Sequence, residues 1–156
     1  MMRLERLHPT HAPTLLTFET DNRAYFARTI PDRGDAYFRE FDTRLTALLE
    51  EQANGICHFH VLLSGNEVAG RINLVDVEDG IAELGYRVGE RWAGQGAATW
   101  GVGEVCRLAR KVYGLHTLFA GTAPENLASR TVLERNGFVP TGTTDRGGLH
   151  YTLALK

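Results

Sequence analysis

Three β-rich segments follow one another in the middle of the sequence, and they limit the folds that this chain can adopt. They cover residues 56–63, 68–77 and 81–89. The first two are separated by Ser-Gly-Asn-Glu at residues 64–67, and the last two by Asp79-Gly80. Such connections are typical of β-hairpins, because glycine and asparagine adopt the backbone conformations that tight turns need. The segments therefore predict an antiparallel meander of three strands.

Helical and β-rich patterns flank this meander on both sides. Apolar residues recur every three or four positions from residue 38 to residue 48, which predicts an amphipathic helix over 35–54. The same periodicity predicts a helix that begins near Gly94 and ends at Gly114. The other predicted elements are strands at 3–7, 115–120, 138–143 and 149–155 and helices at 8–20 and 125–136.

The resulting order, β-α-α-β-β-β-α-β-α-β-β, favours an α+β fold. A meander followed by a strand-helix-strand crossover produces a mixed, mainly antiparallel sheet flanked by helices, and a doubly wound parallel sheet fits this order less well. The chain of 156 residues has the ordinary size of one domain. We therefore expect a single domain over 1–156.

The composition excludes some classes of function. A net charge of −2 gives no global positive field that would gather nucleic acid, so direct nucleic-acid binding is not expected, although local basic patches stay possible. No apolar run approaches the roughly 20 residues that a membrane span needs, so no membrane association is expected. The first residues do not resemble a signal peptide, and Cys57 and Cys106 do not form a CxxC pair. These features predict a cytoplasmic protein.

A glycine-rich turn joins the third strand of the meander to the following helix. Residues 91–98 read Arg-Trp-Ala-Gly-Gln-Gly-Ala-Ala, which places two glycines where free backbone N–H groups meet the positive end of a helix. This arrangement suits an anion such as a pyrophosphate. The turn lacks the Gly-Lys-Ser/Thr ending of a P-loop and the third glycine of a Rossmann fold. Taken alone, Gly94 and Gly96 could equally build a tight turn with no ligand.

Two motifs together resemble the GNAT superfamily of N-acetyltransferases. Arg91-x-x-Gly94-x-Gly96 is similar to the superfamily's Arg/Gln-x-x-Gly-x-Gly/Ala signature, and Asn-Leu-Ala-Ser-Arg-Thr-Val-Leu-Glu-Arg-Asn-Gly-Phe at 126–138 resembles its second conserved segment. Ala-Glu-Leu-Gly-Tyr at 82–86, together with Phe-Glu at 18–19 and Asn-Arg at 22–23, resembles the branch that acetylates the N-termini of ribosomal proteins. The resemblance spans nearly the whole chain and implies the GNAT fold.

The resemblance also implies how acetyl-CoA is held. Backbone groups of Tyr86 and Val88 would pair with the pantetheine arm as an added strand does. The pyrophosphate would lie on the glycine-rich turn, whose implied binding residues are Arg91, Gly94, Gln95, Gly96, Ala97 and Ala98. Arg91 could instead be a solvated surface charge.

Three residues are candidates for catalysis. Asn126 and Ser129 lie three positions apart, hence on one helical face, where both could reach the acyl carrier, and Asn126 is a candidate for cofactor binding as well. Helix capping is the alternative for both. The resemblance suggests that Ser129 donates a hydrogen bond to the departing thiolate; the tyrosine that many members carry in this helix is absent. Glu83 is the candidate base, directly or through water, although a solvent-facing strand glutamate is nearly as good an interpretation.

These observations predict an acetyl-CoA-dependent N-acetyltransferase that transfers the acetyl group directly to an amine. A protein N-terminal α-amine, on a ribosomal or another protein, is the leading acceptor. The alternatives are a small amine, such as a polyamine, an amino acid or an antibiotic, and a non-catalytic acyl-CoA-binding module. No metal is expected, because His58 and His60 alternate along a strand without a second ligand cluster. Monomer and homodimer both stay open.

Overall fold

The protein is described over residues 2–156 by a computed structural model. The strands are β1 (Met2–Arg6), β2 (His58–Ser64), β3 (Glu67–Glu78), β4 (Ile81–Val88), β5 (Thr117–Thr122), β6 (Val139–Thr143) and β7 (Leu149–Ala154). The α-helices are α1 (Ala12–Asp21), α2 (Arg23–Phe26), α3 (Asp35–Arg39), α4 (Phe41–Ala53), α5 (Ala97–Lys111) and α6 (Leu127–Arg135). Short 3-10 turns cover Pro9–His11 and Glu90–Trp92.

The strands form one seven-stranded sheet in the order β1-β2-β3-β4-β5-β7-β6. The pair β4 and β5 is parallel, and the other neighbouring pairs are antiparallel. β5 can lie parallel to β4 because α5 carries the chain back along the sheet between them. The predicted meander is β2-β3-β4, and the predicted α+β class with a mixed, mainly antiparallel sheet is confirmed.

Alternation along the strands covers both faces of the sheet with apolar residues. Ile72, Leu74 and Leu84 point to the face on which α5 and α6 pack, and they join one buried cluster with Val102 and Leu133. The opposite face carries α1 to α4. Its buried cluster contains Leu15, Phe18, Phe26, Tyr37, Phe41, Leu45, Phe59, Val61 and Leu63. Because side chains of a strand alternate between faces, neighbouring residues of β4 serve different faces.

The region before the meander contains two more short helices than the sequence predicts. The expected helix over 35–54 is divided into α3 and α4 at Glu40, whose φ of −105° and ψ of 22° leave the helical region. Across this break the rings of Tyr37 and Phe41 meet edge to face with centroids 5.8 Å apart, and both rings are buried. The additional turn α2 buries Phe26 against Phe18. Aromatic packing therefore divides the single helix that the periodicity of the apolar residues predicts.

The two strand histidines take part in packing. His60 is buried, and its ring nitrogens lie 2.9 Å from the carbonyl oxygen of Ile72 and 2.6 Å from the hydroxyl of Tyr113. Burial lowers the pKa of His60 to about 4. His58 stacks on the ring of Tyr113 at 3.7 Å. Within residues 2–156, no three His, Cys, Asp or Glu side chains are grouped as a metal site would need.

A search of residues 2–156 for a helix long and apolar enough to cross a membrane finds none.

Candidate active site

The centre of the sheet opens between β4 and β5. Their parallel ladder runs from Ile81 opposite Thr117 to Glu83 opposite Phe119, and within the described residues it ends there. Beyond Glu83, β4 continues to Val88, and within residues 2–156 this part pairs only with β3 on its other side. The backbone groups of β4 that face β5 past this point are therefore free to pair with an added ligand. Tyr86 and Val88 lie on this open stretch.

The glycine-rich turn follows directly where β4 ends. Gly94 and Gly96 both adopt positive φ angles, 73° and 80°, and a Cβ atom placed on either would meet nothing within 4 Å. Gly96 is the N-cap of α5 and offers no side chain to cap it. The first N–H groups of α5, around Ala97 and Ala98, therefore keep the unpaired donors and the positive dipole end that an anion needs.

Two side chains of this turn make hydrogen bonds. The amide nitrogen of Gln95 donates to the backbone oxygen of Arg91 at 2.8 Å. Arg91 is exposed, pairs with Glu67 at 2.9 Å and lies 4.7 Å above the ring of Trp92. An exposed ion pair of this kind contributes about 0–1 kcal/mol. Arg91 can therefore leave Glu67 for a phosphate at little cost.

A hydrogen bond joins β4 to the start of α6. The hydroxyl of Tyr86 donates to the hydroxyl oxygen of Ser129 at 3.2 Å. Burial raises the pKa of Tyr86 above its ordinary value, so the phenol stays protonated at neutral pH. The side-chain oxygen of Asn126 accepts the backbone N–H of Ser129 at 3.1 Å, which makes Asn126 the N-cap of α6. Ser129 and Asn126 are thus brought together, with Asn126 in the capping position.

Glu83 lies at the point where β4 and β5 separate. Its side chain is exposed and, by alternation, projects on the face of α1 to α4, whereas Tyr86 projects toward α5 and α6. Glu83 and Ser129 therefore border the opening from opposite faces. Asn73 lies opposite Gly85 in the β3–β4 register, and its buried side-chain oxygen has no hydrogen-bond partner within the described residues.

A buried carboxylate surrounded by three guanidinium groups lies on the face of Glu83. Glu19 of α1 is 1% exposed and contacts Arg71 at 2.8 Å, Arg33 at 3.0 Å and Arg87 at 3.3 Å. Burial disfavours the charged form of Glu19, but Arg71 and Arg33 outweigh it and hold the pKa of Glu19 below its ordinary value. Arg71 and Arg87 are direct neighbours across β3 and β4, an arrangement of like charges that needs such a counterion.

Asn22 links this region to the glycine-rich turn. Its side-chain oxygen accepts the backbone N–H of Glu90 at 2.9 Å, and its amide nitrogen donates to the backbone oxygen of Phe18 at 2.9 Å. From the sequence, residues 18–19 and 22–23 are notable only for their resemblance to the ribosomal-protein branch of the superfamily. Their contacts show that this segment fixes the end of α1 to the connection between β4 and α5.

A second concave surface lies beside the start of α6. A cleft of about 440 Å³ is lined by Gly121, Thr122, Ala123, Pro124, Glu125, Thr144, Arg146, Gly147 and Gly148. It separates the end of β5 from the turn between β6 and β7. Sequence reasoning missed this cleft, the orphaned Asn73 oxygen and the arginine cluster. The only signal for the cleft was the turn sequence Arg-Gly-Gly at 146–148.

Comparison with known proteins places this chain among acetyltransferases. The family model described as "Acetyltransferase (GNAT) domain" matches residues 2–139. The probable N-acetyltransferase YjcK of Bacillus subtilis is 28% identical over 145 residues, covering 87% of this chain and 79% of that protein. The [ribosomal protein uS5]-alanine N-acetyltransferase of Escherichia coli is 25% identical over 143 residues, covering 87% and 74%.

A solved structure has the same fold. Mycobacterium smegmatis RimJ, in complex with CoA-disulfide, superposes with a TM-score of 0.89 at 20% identity, covering 98% of this chain and 81% of that one. At this identity the likeness shows the fold alone. The family model spans most of the chain, including the glycine-rich turn and the Asn126 to Phe138 segment, and both sequence relatives are named as N-acetyltransferases. The chain therefore belongs to the GNAT family and is an N-acetyltransferase.

Proposed function

We propose that this enzyme transfers the acetyl group of acetyl-CoA directly to the α-amine of a protein N-terminus. The observation that carries the proposal is the opening between β4 and β5, which leads straight into the glycine-rich turn and has Ser129 and Glu83 on its two sides. A relative that covers 87% of this chain is named for acetylating the alanine of ribosomal protein uS5, which supports an N-terminal acceptor.

The residues around the opening between β4 and β5 suit the binding of acetyl-CoA. The free edge of β4 at Tyr86 and Val88 suits the amides of a pantetheine arm, and the open space above Gly94 and Gly96 leaves room for a pyrophosphate against the N-terminus of α5. Arg91, Gln95, Ala97 and Ala98 complete the proposed cradle. When bound, acetyl-CoA supplies an activated thioester, and the chain itself has to orient the amine and assist the departing sulfur.

Ser129 is the proposed donor to the departing thiolate. Because Tyr86 donates its own hydrogen to the oxygen of Ser129, the serine hydrogen is free to point elsewhere, and the opening is the direction in which a thiolate would form. The hydrogen bond that the backbone N–H of Ser129 donates to the side-chain oxygen of Asn126 holds the first turn of α6 in place. Ser129 then stabilises developing negative charge without losing its proton.

Glu83 is the proposed base on the opposite side of the opening. The free energy needed to deprotonate an α-amine at pH 7 is about 1 kcal/mol, against about 4 to 5 kcal/mol for a lysine amine, from their reference pKa values. An exposed carboxylate acting directly or through water therefore suits an α-amine. The orphaned oxygen of Asn73, on the same face, could accept an N–H of the incoming amine and orient it.

Replacing Glu83 by glutamine should lower the rate most at low pH. Without the base, the reaction depends on the fraction of amine that is already neutral, so we expect a loss of about 100-fold at pH 6.5 that partly recovers as the pH approaches the amine pKa of about 8. The measurement is a pH profile of kcat/KM for both proteins. Glu78→Gln, at the exposed end of β3, is the matched control and should keep the original profile. An unchanged profile in Glu83→Gln would remove Glu83 from the mechanism.

The acceptor assignment is tested with one peptide that carries both a free N-terminus and an internal lysine. Near neutral pH we expect acetylation of the N-terminus, located by tandem mass spectrometry, with spermidine and free amino acids present as competing acceptors. Several peptide sequences should be compared, because the acceptor pocket can reverse an intrinsic preference. Acetylation confined to lysine or to the small amines would overturn the N-terminal assignment.

A further inference from the structure

The arginine cluster on the face of Glu83 carries more positive charge than its own carboxylate balances. Three guanidinium groups, those of Arg33, Arg71 and Arg87, contact the single carboxylate of Glu19. The charge of nearby Arg23 is already balanced, because its guanidinium pairs with the carboxylates of both Asp32 and Asp35 at 2.8 Å. Together these ion pairs contain four cations and three anions. The cations are Arg23, Arg33, Arg71 and Arg87, and the anions are Glu19, Asp32 and Asp35. The excess is concentrated around Glu19.

The three arginines are not equivalent. Arg71 is buried and donates to Glu19 and to the hydroxyl of Tyr37, so it is part of the folded core. Arg33 donates twice to Glu19 at 3.0 and 3.4 Å, and its side chain is 31% exposed. Arg87 donates one bond, at 3.3 Å, within the described residues, and its side chain is 19% exposed. A guanidinium has five N–H donors, so Arg87 has the largest unused capacity.

Arg87 lies in a small cleft, of about 10 Å³, on the face of Glu83. The cleft is lined by Glu19, Arg23, Phe26, Pro31, Asp32, Arg33, Phe38 and Arg87. The proposed base Glu83 places the amine on this face of the sheet, where Arg87 stands two residues beyond Gly85. That separation is about 7 Å along a strand.

Burial and the neighbouring Arg33 lower the pKa of Arg87 from its ordinary value, which is the behaviour of a cation that lacks a sufficient counterion. The ring of Phe26 lies 4.5 Å from its guanidinium carbon and holds the group in place. A positioned guanidinium with free donors in a partly buried cleft is suited to a carboxylate, which it can bind through two parallel hydrogen bonds.

We propose that Arg87, assisted by Arg33, selects protein N-termini that carry an aspartate or glutamate at the second or third residue. This inference rests on the proposed N-terminal acceptor. In an extended peptide, the carboxylate of such a residue lies about 7 Å from the α-amine. An amine oriented by the orphaned oxygen of Asn73, opposite Gly85, would lie at about this distance along β4 from Arg87. The acidic side chain supplies the missing anion, and binding it holds the amine near the opening.

The test compares peptides that are identical except for Asp, Asn or Lys at the second or the third residue, with kcat/KM as the readout. For the wild-type enzyme we expect Asp to exceed Asn by about tenfold and Lys by about 100-fold, as charge-assisted hydrogen bonds and like-charge repulsion predict. Arg87→Gln should reduce the preference for Asp over Asn to about twofold or less. Arg87→Lys, which keeps the charge but not the fork of donors, should retain part of it.

Arg107→Gln is the matched control, because it removes the same charge from the exposed surface of α5 and should keep the tenfold preference. Thermal unfolding checks that Arg87→Gln is folded, which is expected because Glu19 keeps its pairs with Arg71 and Arg33. Should Arg87→Gln not fold, Arg33→Gln takes its place, with a weaker reduction expected. Equal rates for the Asp and Asn peptides with the wild-type enzyme would overturn the inference and leave the N-terminal acceptor standing. So would an undiminished preference in folded Arg87→Gln, or in Arg33→Gln where that variant takes its place. Acetylation of none of the peptides would overturn both.

Discussion

Gly96→Val should weaken acetyl-CoA binding by about 100-fold, from a micromolar wild-type affinity. Gly96 has a φ of 80° and no neighbour within 4 Å of the place where a Cβ would lie. Valine would fill the space above the N-terminus of α5 and obstruct the N–H groups that are proposed to hold the pyrophosphate. A 100-fold change corresponds to about 2.7 kcal/mol of binding free energy. Isothermal titration calorimetry with acetyl-CoA and with CoA measures it.

The same substitution also strains the backbone, since a side chain in the left-handed region costs about 1–2 kcal/mol. Gly114→Val separates the two effects. Gly114 lies just past the other end of α5, has a φ of 67° and likewise meets nothing within 4 Å. Both variants should lose similar thermal stability, but Gly114→Val should bind CoA normally. A folded Gly96→Val protein with unchanged affinity would show that the turn does not hold the carrier.

Ser129→Ala should lower kcat by about 100-fold while changing the affinity for acetyl-CoA less than about threefold. A hydrogen bond to a developing negative charge strengthens as the transition state forms, so its loss falls on turnover. Tyr86→Phe keeps the backbone of β4 and removes the bond that orients the serine, so a smaller loss of kcat is expected there. Steady-state kinetics combined with calorimetry separate the two quantities.

Thr131→Ala is the control for this series, because it removes a hydroxyl from an exposed position of the same helix. Its kinetics should match those of the wild type. Equal losses of turnover and affinity in Ser129→Ala would identify Ser129 as an ordinary ligand contact. Full activity in Ser129→Ala would show that Ser129 is not the donor to the departing thiolate.

Local patterns were sufficient to predict most of the fold. The hairpin turns at 64–67 and at Asp79-Gly80 and the periodicity after Gly94 are signals contained in a few neighbouring residues, and the meander and α5 are found where they indicate. The break at Glu40 has no such signal. It depends on how Tyr37 and Phe41 pack against the sheet, which is a tertiary effect.

The candidate site could be predicted from the sequence only where its residues belong to short motifs. The roles assigned to Glu83, Ser129 and the glycine-rich turn stay predictions, and the structure adds their surroundings. Tyr86 and Ser129 are 43 positions apart, so their hydrogen bond could not be read from spacing. The facing of Arg71 and Arg87 depends on the β3–β4 register, and a register shift of one residue would move Arg87 to the other face. Long-range geometry of this kind is invisible to a local pattern.

The early end of the β4–β5 ladder has a further consequence, for the stability of the protein in a cell. Sheet proteins usually confine exposed strand edges to their margins, where charges or bulges protect them from pairing with other chains. Here, among the described residues, an edge that has no strand partner runs through the centre of the sheet beyond Glu83. A ligand that pairs with this edge binds only the folded chain and stabilises it by mass action, by about 2.7 kcal/mol at a concentration 100 times its Kd. If CoA pairs with this edge as proposed, its concentration would contribute to how strongly each copy of this enzyme resists unfolding and aggregation.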